Sequence, residues 1–260
     1  MKPRFDPSRG TNVARLGLAI AAIVILCSSA LYAQRHSWSV TASTGMSVLS
    51  LGTVDDDNAG DAQGWAALGY PVSGFSSLKQ QMLYSMRVRY RYDREFAVSL
   101  LAFYSSKTVQ ASFHSPDAGL DLSRSAGSTD VVLALAYYPA ARPYFLEWYL
   151  QATFGLTFAH ASANAVGFQN VKIAGVPTPE YFVDTEAKFS KTKTSVGAGA
   201  GLEIPLVSRV ALNAEALYRF AQMGAMNGTL TRFGDQTDAT TTIEFNYSGF
   251  LLSAGIRVEL

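Results

Sequence analysis

The stretch Tyr144–Phe145–Leu146–Glu147–Trp148–Tyr149–Leu150–Gln151–Ala152–Thr153–Phe154–Gly155–Leu156–Thr157–Phe158–Ala159 decides how this chain is read. Tyr144, Leu146, Trp148, Leu150, Ala152, Phe154, Leu156 and Phe158 are all apolar or aromatic, while Glu147, Gln151, Thr153, Gly155 and Thr157 fall between them beside Phe145 and Tyr149. Alternation with period two is the signature of a strand with one oily and one polar face. A tilted strand needs only ~9–11 residues to cross a bilayer, so this one is long enough to cross and continue.

Working outward, the same pattern returns on both sides. Upstream, Trp38 to Val48 alternate with serines and threonines; Met82, Tyr84, Met86, Val88, Tyr90 and Tyr92 oppose Gln81, Ser85, Arg87, Arg89 and Arg91. Phe96 to Tyr104 follow after a tight turn at Asp93–Glu95. Val131 to Tyr138 are apolar on both faces, and the bulkier Val131, Leu133, Leu135 and Tyr137 are read as outward. Downstream, Thr194–Ile204, Val210–Phe220 and Phe250–Leu260 complete eight strands.

Their connections alternate long and short, with long loops expected at about 52–80, 105–128, 160–191 and 222–241. Prolines beyond the leader are expected in turns and loops, because proline cannot donate to a ladder. The sequence thus predicts an all-β, eight-stranded antiparallel up-and-down transmembrane β-barrel over 34–260. Its long loops share one rim, and both termini lie at the other.

Ahead of the barrel, Lys2, Arg4, Arg9 and Arg15 precede an apolar run from Leu16 to Leu26 and the small residues that follow it. Residues 1–33 are read as a secretory signal peptide, cleaved after Ala30 or Ala33. The apolar run is too short for a spanning helix of ~20 residues. Leu26 directly before Cys27 argues against lipidation of that cysteine. Removing the leader takes four of the 21 basic and one of the 20 acidic residues, leaving 17 against 19. That balance gives no reason to expect nucleic acid as a partner. The only cysteine leaves with the leader, which excludes a cystine scaffold.

Polarity separates two kinds of barrel. A soluble ligand carrier turns its apolar face inward, whereas a membrane barrel turns it to lipid. Here the polar face carries both signs, Arg87, Arg89, Arg91, Arg219 and Arg257 against Glu147, Glu203, Glu215 and Glu259, which suit pairing across an enclosed lumen. An arginine at the lipid midplane costs ~2–4 kcal/mol, so the register with these groups inside is preferred. Glycines of the same face, Gly155, Gly197, Gly199, Gly201 and Gly255, leave room for them. Aromatic residues near strand ends suit two interfacial girdles.

These features together resemble the small eight-stranded outer-membrane β-barrel proteins of the OmpA/OmpX-type superfamily. The resemblance implies the bacterial outer membrane as location, contact with its lipids and lipopolysaccharide, and no cofactor. It also implies recognition of the C-terminal strand, at Gly255, Val258 and Leu260, by the barrel-assembly machinery; Leu260 stands where many such barrels carry an aromatic residue. The role implied is non-enzymatic: envelope integrity, adhesion, or membership of a larger assembly through a protein partner at the outer loops. A small solute channel is the alternative.

Two local features bear on chemistry. The acidic run Asp55–Asp61 misses a calcium loop because Ala59 stands where an oxygen ligand is needed, so no metal site is expected. His160 and Ser162 fall on the outward face near the outer rim, where they resemble the His-x-Ser pair of outer-membrane lipid A deacylases. The acid that a serine nucleophile's base requires is available only from Glu180, Asp184 or Glu186. This enzyme reading stands third.

Overall fold

The structure, a computed structural model, describes residues 37–52, 54–73, 76–139, 146–173, 176–241 and 244–260. The leader, its two cleavage sites, Cys27 and Tyr144 lie outside the described residues. The strands are β1 (Ser37–Leu49), β2 (Gln80–Arg91), β3 (Phe96–His114), β4 (Ala118–Tyr137), β5 (Glu147–Ile173), β6 (Val176–Val207) and β7 (Val210–Phe220), then the short β8 (Gln222–Gly224), β9 (Asn227–Arg232), β10 (Asp235–Thr240) and β11 (Phe245–Asn246), and finally β12 (Gly249–Glu259). One helix, α1 (Val54–Ala67), lies between β1 and β2.

β1 to β7 pair in sequence order and β12 closes the ring between β7 and β1, all antiparallel. Closure leaves no unpaired edge at membrane depth, which a spanning sheet requires because lipid cannot hydrogen-bond backbone groups. Eight strands therefore form the barrel, as the alternation predicts. No helix among the described residues is long and apolar enough to cross a membrane.

Facing follows the predicted polarity. Leu133 and Phe154 are 58% and 61% exposed while Arg89 is 1% exposed, the inverse of a water-soluble core. Val131, Leu133, Leu135 and Tyr137 point outward and Val132, Ala134 and Ala136 inward. Aromatic residues ring both ends of the apolar belt: Phe96 packs on Tyr137 at 5.3 Å and Trp38 on Tyr90 at 4.8 Å at the short-turn end, and Tyr218 on Phe250 at 5.0 Å at the other. The short turn after β2 is held by Asp93, whose Oδ1 accepts the amides of Glu95 and Phe96 at 2.7 and 2.6 Å.

The largest departures from expectation are above the belt. Residues 105–114 and 118–128, expected as a loop, continue β3 and β4 in register as far as His114 and Gly119. Residues 160–173 and 176–191 likewise continue β5 and β6. The physical reason is a second amphipathic pattern of opposite sense. Val109, Ala111, Phe113, Leu120 and Leu122 face inward, while Thr108, Gln110, Ser112, Asp121, Ser123 and Ser125 face outward. Serine and threonine on a wet face suit a strand, and a Ser-rich composition alone does not make a loop.

The segment 222–241 is also not a plain loop. β9 and β10 form a hairpin through Phe233 and Gly234, both with positive φ (48° and 91°), as a primed two-residue turn demands. β9 then pairs with β6 over Thr185–Ser190 and widens the extension. The acidic run, expected within the long loop at about 52–80, is instead the first turns of α1. Acidic residues at a helix N-terminus complement its dipole, but the helix carries no apolar stripe and two internal glycines, which hid it in the sequence.

Three prolines also depart from the expected turns, since Pro177, Pro179 and Pro205 lie within β6. Pro177 and Pro179 sit beyond the part of β6 that β9 covers, at a strand edge that tolerates proline. Pro205 sits where the register shifts before the turn to β7.

Candidate functional site

The lumen is filled in layers. At the short-turn rim Arg91 Nη1 meets Glu147 Oε2 at 3.1 Å, and its guanidinium lies over the Tyr138 ring at 4.2 Å. One layer in, Glu203 receives two arginines: Arg89 on Oε1, and Arg257 on Oε2 at 2.7 Å. Tyr138 also bonds Arg89. Deeper still, Arg87 pairs with Glu215 and donates to Tyr149 Oη at 2.8 Å and Gln151 Oε1 at 3.1 Å. Tyr149 in turn donates to Glu215 at 3.0 Å.

A separate network occupies the next level. Arg219 pairs with Asp130, which also accepts from Thr157, and donates to Ser128 Oγ at 3.1 Å and to the Tyr247 carbonyl at 3.0 Å from Nε. Above it the lumen turns apolar. Leu51, Leu78, Met223, Met226, Phe245 and Tyr247 are all buried there in one cluster, so the β1–β2 and β7–β12 connections together cap the charged interior. Tyr247 Oη ties this cap to the wall through the His160 carbonyl at 2.8 Å.

The structure therefore brings Arg87, Arg89, Arg91, Arg257, Glu147, Glu203 and Glu215 into one region and puts Arg219 in another. Glu259 is half-buried near the inner rim and, among the described residues, has no ion-pair partner. Sequence reasoning missed Asp130, because the apolar run of strand four begins one residue later; its even number puts it on the inward parity of Val132 and Ala134. It also missed the tyrosines that interleave the arginines. Gly201 makes room for tyrosine rather than for arginine directly: a Cβ there would come within 2.1 Å of the Tyr149 ring, which in turn meets the arginines.

Gly255 and Val258 lie on the closing strand and Leu260 directly follows it, with Val258 and Leu260 exposed on the lipid side. His160 and Ser162 share the outward face of β5, one step beyond Phe158. Ser162 Oγ is hydrogen-bonded to Ser125 Oγ at 2.7 Å, and the His160 ring lies against Gly127. Glu186 stands opposite Asn164 rather than His160 and pairs with Lys188 at 2.7 Å. Four residues of strand separate it from the histidine level, about 13 Å at ~3.3 Å per residue, and Asp184 and Glu180 are farther out. Serine, histidine and acid are thus not brought together. No group of three or more metal-ligating side chains occurs among the described residues.

A second candidate region lies in the extension. α1 packs against the inward face of β3–β6, where Arg124 of β4 donates to Asn58 Oδ1 at 2.5 Å and pairs with Asp61. Tyr70 stacks near Phe182 at 5.0 Å and edge-on to Phe113 at 5.9 Å. Beside this cluster a cleft of about 450 Å³ opens between α1 and the sheet.

A closed eight-stranded barrel with an apolar belt, aromatic girdles and an ion-paired lumen is a membrane-spanning β-barrel. Comparison with solved structures gives the same fold: a major outer membrane protein from Thermus thermophilus matches at 11% identity over 87% of this chain and 100% of that one, with a TM-score of 0.52. Neisserial surface protein A matches at 16% identity (87% and 100% covered, TM-score 0.40) and OprG of Pseudomonas aeruginosa at 9% (87% and 97%, TM-score 0.41). Neither a protein-family model nor a curated protein matches the chain by sequence. The chain has the fold of the small outer-membrane β-barrel proteins, and at these identities the likeness is one of fold alone.

Proposed function

We propose that the protein is a non-enzymatic barrel of the bacterial outer membrane that acts through its outer extension, in adhesion, envelope integrity or as the membrane part of an assembly. The observation that carries this reading is the filling of the lumen. Arg87, Arg89, Glu203 and Glu215 are each at most 9% exposed, and the apolar cap lies above them. An eight-stranded barrel is just wide enough for side chains to fill, and these side chains hold one another. The extension, by contrast, is an ordered sheet with a wet outer face. It is far larger than closing the strands requires. Lipopolysaccharide is the surface that surrounds its base, and the C-terminal strand is the part that the assembly machinery reads.

Planar-bilayer recording tests the reading. Purified, folded protein is expected to show no steady single-channel conductance, and Glu203→Ala to raise leak events by opening the plug. Steady, solute-selective conductance of the unaltered protein would establish the channel reading instead.

A further inference from the structure

The cleft under α1 is built from residues that decline to fill it. Gly60 and Gly64 stand four apart and so share one face of the helix, and both line the cleft. A side-chain carbon added at either would meet no atom within 4 Å. Close packing therefore does not require glycine here, and glycine weakens a helix interior. Opposite them Ala163, Ala165 and Ala187 also keep the space open.

The walls combine two chemistries. Trp65 and Leu122 supply flat and aliphatic surface, while Asp61, Arg124 and Thr185 supply a carboxylate, a guanidinium and a hydroxyl. Arg124 holds Asp61 through Oδ2, which leaves Oδ1 to accept another donor. A volume of about 450 Å³ falls within the ~300–1,000 Å³ of small-molecule sites, where apolar walls carry a few placed polar groups.

We propose that this cleft is a binding site for a neutral saccharide, one pyranose ring laid on Trp65 with its hydroxyls directed to Asp61, Arg124 and Thr185. A sugar ring has an apolar C–H face and a rim of donors and acceptors, which is the division the cleft presents. A fatty chain would offer nothing to the carboxylate, guanidinium and hydroxyl on the cleft wall. A free anion would meet Asp61 beside Arg124 and gain no net charge. The site deepens the proposed role and rests on the reading that the extension makes the protein's contacts.

The test uses the full barrel in detergent micelles, its closure verified first by the mobility shift between unboiled and boiled samples. Glucose, galactose, N-acetylglucosamine and lactose are then titrated with saturation-transfer NMR and tryptophan fluorescence, with 1-octanol as an apolar probe. At least one sugar is expected to saturate. Gly64→Leu is expected to weaken it tenfold or more while leaving the extension at least as protease-resistant as before, since leucine favours helix. Trp65→Ala is expected to abolish the fluorescence response. Failure of all four sugars to saturate by 50 mM, about ten times the weakest affinity of interest, binding unchanged in Gly64→Leu, or saturation by octanol alone would overturn the assignment. Loss of the mobility shift would instead contradict the barrel, a separate outcome.

Discussion

Four of the eight strands of the membrane belt, β3 to β6, run on into the outer extension, and there their amphipathic sense is reversed. On β4, Leu133 and Leu135 face out while Asp130 and Ser128 face in; a few residues on, Asp121, Ser123 and Ser125 face out while Leu120 and Leu122 are buried within. The backbone alternation never slips between them, since the β3–β4 register runs unbroken from Phe96↔Tyr137 to His114↔Gly119. What changes is the solvent outside, from lipid to water. The level of the inversion marks the bilayer surface on the structure, and it lies where Tyr104 and Phe158 close the outer girdle.

Substitutions that treat the two regions alike therefore have unequal effects. The largest belongs to the lumen. Glu203→Leu strands two arginines, Arg89 and Arg257, in a buried site, and breaking a buried pair costs ~3–5 kcal/mol. Urea unfolding of the folded barrel, followed by the gel-mobility shift, is expected to move by that amount. Next is Leu133→Arg in the belt, expected to destabilise by ~2–4 kcal/mol as a midplane cation, read in the same assay in lipid vesicles. An undiminished Leu133→Arg barrel would place residue 133 away from the hydrocarbon.

Third comes Leu122→Ala in the extension. Truncating a buried leucine costs about 2 kcal/mol or more, but here the loss is local. Protease is expected to cut within 105–128 or 160–191 while the barrel keeps its mobility shift. The smallest effect is Ser123→Arg on the wet outer face, expected within about 0.5 kcal/mol, as for surface substitutions generally. The same residue type thus costs several times more ten positions farther along one strand.

The belt is legible in the sequence because its outward residues are large. Phe154, Leu156 and Phe158 against Gly155 and Thr157 leave no doubt about period or facing. The extension is not, because its contrast is small. Ala161, Ala163 and Ala165 alternate with Ser162 and Asn164, a pattern whose hydropathy differs little from a polar loop. α1 is hidden for a related reason: Gly60 and Gly64 interrupt it and its buried positions include the polar Asn58 beside Val54, so no apolar stripe announces it. The lumen charges on β2 are legible from three arginines at alternate positions, whereas their partners Tyr138 and Tyr149, though on the inward parity, carry no charge to mark them as members of the network. Asp130 reads as a loop residue at the head of its strand.

The most direct measurement is a scan of solvent accessibility along the outward face of β4. Single cysteines at Asp121, Ser123, Ser125, Thr129, Val131, Leu133 and Leu135, spin-labelled in lipid vesicles, report collisions with oxygen and with a polar nickel chelate. The account predicts chelate access at 121, 123 and 125, a crossover near 129, and oxygen-dominated relaxation at 131, 133 and 135. Chelate access at 133 equal to that at 123 would contradict it, because the two halves of the strand would then share one solvent.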